Sequence, residues 1–144
     1  MRIPTPIYEE IFEHAREEAP NECCGLIGGS EGEVRTLYRA RNAEASPYRY
    51  LLHPTDQLRI VGEIEGAGEQ LVAIYHSHTK SPAYPSQTDI NLAVVEQGSH
   101  GKRERIELFP GTLYLIASLA EGEEPLRGFR IDVDGVHEHE LAIG

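Results

Sequence analysis

Two histidines, a serine and an aspartate lie close together in the run His76-Ser77-His78-Thr79-Lys80-Ser81-Pro82-Ala83-Tyr84-Pro85-Ser86-Gln87-Thr88-Asp89. Two neutral imidazoles and one carboxylate supply three of the four positions of a tetrahedral zinc ion and leave the last for water, the pattern of a catalytic site. A structural zinc is normally closed by four ligands with thiolates prominent, and no such set accompanies these histidines. Iron(II) accepts the same donors, so the ligand types favour zinc without singling it out. A His-x-His pair can also be two ordinary strand-end histidines; the serine and aspartate that follow weigh against that.

Positioning them requires a strand and a helix. Leu71-Val72-Ala73-Ile74-Tyr75 is short, apolar and β-favouring, as expected of a buried strand that delivers His76 and His78 at its carboxyl end, both on one face. Ser81-Pro82 and Tyr84-Pro85 force an extended loop. Ser86 then precedes the helical pattern Gln87 to Val95, making it a candidate N-cap and placing Asp89 in the first turn, where the helix dipole favours a carboxylate.

The motif His-x-His-x7-Ser-x2-Asp resembles the signature of the JAMM (MPN-plus) metalloprotease family. In that family an upstream glutamate before a glycine-bearing strand completes the site, and Asn21-Glu22-Cys23-Cys24-Gly25-Leu26-Ile27-Gly28-Gly29 is similar to that segment. The resemblance covers nearly the whole chain. It implies an α/β fold with a mixed central sheet flanked by helices, of the JAMM/MPN-like, cytidine-deaminase-like architecture. It also implies Zn2+ held by His76, His78 and Asp89, with Glu22 and Ser86 catalytic.

Each implied role has a physical rationale. Zinc lowers the pKa of its water to roughly 7, and Glu22 could take the proton and return it to the leaving amine. Ser86 could offset charge growing on the carbonyl oxygen, or simply cap the helix, or both. The resemblance further implies a substrate: a ubiquitin-like or sulfur-carrier protein, cleaved after its Gly-Gly tail. An extended glycine tail can pair with a strand or loop edge and pass where a Cβ would clash. Two other readings are a non-catalytic MPN-type scaffold and a zinc amidohydrolase acting on another amide.

At 144 residues with 40% hydrophobic content, the chain reads as a single domain spanning residues 1–144. A formal net charge of −11 argues against non-specific nucleic-acid binding. No apolar stretch approaches the ~20 residues of a membrane helix. The amino terminus lacks the apolar centre of a secretory signal, so a cytoplasmic location is expected. A homodimer is compatible with these features. Vicinal Cys23 and Cys24 read as buried reduced thiols.

A pass along the chain predicts a helix over Pro6–Glu18, a hairpin of strands Cys23–Gly28 and Glu33–Ala40, and a β-like segment Tyr48–Leu52. Thr55 is expected to cap a helix to about Gly66 with Leu58, Val61 and Ile64 inward. Residues 97–105 read as a charged loop, and strands are expected near Leu113–Leu119, Pro125–Ile131 and Gly135–Leu141. His137-Glu138-His139 is a rival His-x-His lacking the downstream serine and aspartate. His14 and His100 read as surface residues, and His53 as a packing residue at the start of the middle helix.

Overall fold

The computed structural model describes residues 1–144, the side chain of Ser99 excepted. In chain order the elements are β1 (Arg2–Ile3), α1 (Thr5–Glu18), β2 (Cys24–Ser30), β3 (Glu33–Ala40), α2 (Pro54–Gly66), β4 (Gln70–His78), α3 (Gln87–Ala93), β5 (Val94–Ser99), β6 (Lys102–Glu107), β7 (Leu113–Ser118), β8 (Leu126–Asp132), β9 (Gly135–His139) and β10 (Ala142–Ile143). The main sheet has the order β3-β2-β4-β7-β8-β9 and is mixed: β4 pairs antiparallel with β2 and parallel with β7. Two short pairings, β1 with β10 and β5 with β6, lie outside it.

Strand β4 sits at the centre because its sequence is apolar on both faces, as a doubly covered strand must be. One face carries Tyr75 into a cluster with Ile11, Phe12 and Ala15 of α1. The other carries Ile74 into a cluster with Ile60 and Ile64 of α2 and Ala93 of α3. The result is an α/β molecule with α1 on one side of the sheet and α2 and α3 on the other. Gly25 of β2 is required by this packing, since a Cβ there would collide with the Tyr75 ring and the Tyr38 carbonyl oxygen. No helix is long and apolar enough to cross a membrane.

The expected β2–β3 hairpin forms, turning at Glu31 and Gly32, both with positive φ. Tyr48–Leu52 is not a strand; only an isolated bridge joins Leu52 to Asn42. Helix α2 begins at Pro54 with His53 as N-cap and no side-chain cap bond, so Thr55 does not cap it. Proline suits the first helical position, where its missing N–H costs nothing. Leu58 is 78% exposed, whereas Ile60 and Ile64 are buried, so the apolar stripe is rotated from the expected one. Helix α3 stops at Ala93, and the predicted loop 97–105 is instead part of the β5–β6 hairpin, turning through His100 and Gly101 in left-handed backbone. β-branched Val94 and Val95 favour the strand over further helix.

Candidate active site

The parallel pairing of β4 with β7 and its antiparallel pairing with β2 set the stage for the predicted residues. His76 and His78 share a face of β4, and their Nε2 atoms lie 3.2 Å apart. Cys24 is opposite His76 in the β2–β4 register. Continuing that register by two residues sets Glu22 opposite His78, on the same face. The Glu22 main chain is fixed by its N–H to Ser46 O at 2.8 Å and by Asn42 Nδ2 donating to Glu22 O at 3.0 Å.

Ser86 is the N-cap of α3. Its Oγ accepts from Asp89 N at 3.1 Å, and Asp89 Oδ2 accepts from Ser86 N at 2.9 Å, a reciprocal capping box. The box aims that same Oδ2 at the two imidazoles, 3.1 Å from each Nε2. Glu22, His76, His78 and Asp89 are all buried, and one ligand atom from each lies within 4.8 Å of the others. Among the described residues this is the only such group; Ser86 lies at its rim.

These donors fit a metal on their own chemistry. His78 Nδ1 faces only an acceptor, Pro82 O at 2.7 Å, so it carries the proton. In the neutral ring Nε2 then presents a lone pair to the Asp89 carboxylate, and only a proton or a cation between them relieves that opposition. His76 Nε2 is equally close to both, and one proton cannot serve three donors. The triangle they form, with sides of 3.1, 3.1 and 3.2 Å, is a little smaller than the roughly 3.3–3.6 Å edge of a tetrahedron built on bonds of 2.0–2.2 Å.

His76 is oriented differently from His78. Its Nδ1 is buried without a partner among the described residues. Its ring stacks on Tyr50, with centroids 4.2 Å apart and planes 21° from parallel. The aromatic contact does the orienting that a hydrogen bond usually does for a ligating histidine.

Burial pushes the Glu22 carboxyl up to about 8, with Asp89 adding to the rise and His78 opposing it. Its Oε1 is buried and unpartnered among the described residues. A carboxyl so placed can take up and release a proton near neutral pH. Burial also works to raise Asp89, but His76, His78 and the Ser86 N–H hold it well below the usual carboxylate range. Both thiols are reduced and buried; burial pushes Cys23 up to about 11, so neither is poised as a nucleophile. Cys23 N instead donates to Ser77 Oγ at 2.9 Å, tying β2 to β4 beside Glu22.

The rival His137-Glu138-His139 does not assemble. His137 contacts Asp132 at 3.2 Å, Glu138 pairs with Arg127 at 2.7 Å, and all three are exposed on β9. His14, expected at the surface, is buried, its Nδ1 2.8 Å from Tyr75 Oη. Sequence reading also passed over Asn42, whose side chain binds the main chain of Glu22, Glu44, Arg49 and Leu51, and Tyr50, whose alternation with Leu52 was its one signal.

Residues 4–131 match the family model described as prokaryotic homologs of the JAB domain. The chain belongs to that family. This JAB-domain chain is 38% identical over 135 residues to a CysO-cysteine peptidase of Mycobacterium tuberculosis, covering 92% of the chain and 83% of that protein. It is 37% identical over 118 residues to a desampylase of Haloferax volcanii, covering 76% and 74%. The solution structure of a Desulfitobacterium hafniense protein superposes with a TM-score of 0.80 at 35% identity, covering 100% of the chain and 93% of that protein. Membership of the JAB family and the cluster of Glu22, His76, His78 and Asp89 are together compatible with a metal site.

Proposed function

We propose that residues 1–144 act as a single hydrolase domain that cleaves the amide or isopeptide bond following the Gly-Gly tail of a ubiquitin-like or sulfur-carrier protein. The observation that carries this reading is the convergence of Glu22 with the His76, His78 and Asp89 donors in one buried cluster. His76 Nε2, His78 Nε2 and Asp89 Oδ2 would hold zinc. When bound there, the ion would acidify a water and polarise the substrate carbonyl.

Glu22 takes a proton from the attacking water and gives it to the leaving amine, a double duty that its place beside the three donors allows. Ser86 uses its oxygen lone pair to cap α3, which leaves its hydroxyl proton free to donate to the oxyanion. Capping and catalysis are thus compatible in one side chain. Beside the cluster the same face of β4 packs against buried Tyr50 and carries Ile74, apolar surroundings that strengthen each electrostatic contact. The names of the two relatives, a peptidase acting on CysO-cysteine and a desampylase, support the substrate class.

Metal analysis of variants tests the assignment. His78→Ala and Asp89→Ala are expected to lose zinc together with activity, while Glu22→Ala keeps its zinc and loses turnover. Full zinc in both ligand variants would overturn the assigned donors, and an active Glu22→Ala would remove the base.

A further inference from the structure

A cavity of about 250 Å³ opens beside the cluster, and Glu22, His78 and Ser86 all line it. Pro20, Pro47 and Tyr48 form its outer wall. The volume is below the roughly 300–1,000 Å³ of a site for a drug-sized ligand. It therefore suits a group about the size of one residue.

Lys80 also lines this cavity, and it is the only lysine or arginine there; Glu22 and His78 are engaged by the chemistry just described. The chain has two lysines among 13 basic residues and a net charge of −11. Six arginines, Arg35, Arg39, Arg41, Arg59, Arg103 and Arg127, are each paired with a carboxylate. Among the described residues Lys80 has no such partner, a state shared by Lys102 and five arginines, but of these it alone lines the cavity, where it stands exposed at the mouth of the site. An ammonium without an ion pair at the mouth of this cavity fits an anion arriving with the substrate.

Two glycines on the acyl side carry no charge. An anion close to the scissile bond must therefore come from the leaving side. An α-amino acid joined through its own nitrogen places a carboxylate two bonds from the breaking C–N bond. A lysine side chain inside a folded protein places none there.

Resting on the proposed hydrolase reading, we propose that Lys80 determines specificity by binding the carboxylate of the leaving group, so that the preferred leaving group is a free amino acid. Water adds to the carbonyl carbon, the C–N bond breaks, and the amine leaves with the proton carried by Glu22. The products are the Gly-Gly acid and the amino acid, with Lys80 holding the carboxylate throughout. No oxidant or further reactant is needed.

The test compares two ubiquitin-like substrates that end in Gly-Gly-Ala, one with a free carboxylate and one with a carboxamide. Wild-type protein loaded with zinc should favour the free acid by about 2- to 5-fold in kcat/KM, the upper part of the range for one exposed ion pair. The ratio should fall toward one in Lys80→Met, which keeps the apolar stem, and should shrink as salt is added to wild type. Equal cleavage of both substrates by wild type, or a preference that survives Lys80→Met, would overturn the role of Lys80 alone. Cleavage of neither substrate by zinc-loaded protein would overturn the hydrolase reading, and this inference with it.

Discussion

His78 is joined to Pro82 by a 2.7 Å hydrogen bond from its Nδ1 to the main-chain oxygen four residues on, which fixes the tautomer that turns the Nε2 lone pair toward Asp89. The loop that carries Pro82 is in turn held from β7. Ser118, opposite His78 in the β4–β7 register, donates from Oγ to Ser81 O at 2.7 Å.

Ser118→Ala should therefore weaken zinc binding by roughly 10-fold, the low end for loss of a group supporting a metal ligand. Stability should fall by only about 1 kcal/mol, one hydrogen bond's worth. Competition against a chelator measures the first and thermal unfolding the second. Ser118→Thr, which keeps the hydroxyl, should restore affinity. Unchanged affinity in the alanine variant would show that the loop holds His78 without Ser118.

Gly25 and Tyr75 make a second pair on the opposite face. Because an added Cβ would strike both the ring and the Tyr38 carbonyl, Gly25→Ala should destabilise the protein by about 1–3 kcal/mol, as overpacking does. The midpoint of thermal unfolding should drop by about 2–4 °C for each kcal/mol. A variant as stable as wild type would mean that β2 and β4 can move apart without cost.

Behind the same strand, burial, assisted by Arg39 and opposed by Glu17, lowers the His14 pKa from 6.5 to about 4. A neutral His14 in the fold therefore contributes stability that is complete above pH 6.5 and is lost as pH falls through that value toward 4. The loss amounts to at most about 3 kcal/mol. Urea unfolding across that window should show the loss in wild type and a flatter profile in His14→Gln. Parallel profiles would assign the acid sensitivity to other groups.

The convergence of His76, His78, Ser86 and Asp89 was legible because its signals are local. Strand alternation put His76 and His78 on one face, and the proline-bounded loop delivered Ser86 and Asp89 to a helix start. Glu22 lies far from them in sequence, and the family resemblance supplied what periodicity could not; the β2–β4 register then accounts for its position. What escaped depended on tertiary context. His14 falls on the same helical stripe as Ile7 and Ile11, and its polarity hid that placement. The helix expected to run on through Val95 gives way at Val94 to β5, because pairing with β6 stabilises the extended chain more than another helical turn would. Asn42 and Tyr50 act from a stretch without regular structure, where the alternation of Tyr50 with Leu52 is the one periodic signal.

The central claim is most directly tested by the intact mass of a ubiquitin-like protein bearing a short extension after its terminal Gly-Gly, incubated in parallel with zinc-loaded wild-type protein and with Glu22→Ala. The expected result is a product ending at the second glycine, formed by wild type and not by the variant. An uncleaved substrate with wild type, or the same product from Glu22→Ala, would contradict it.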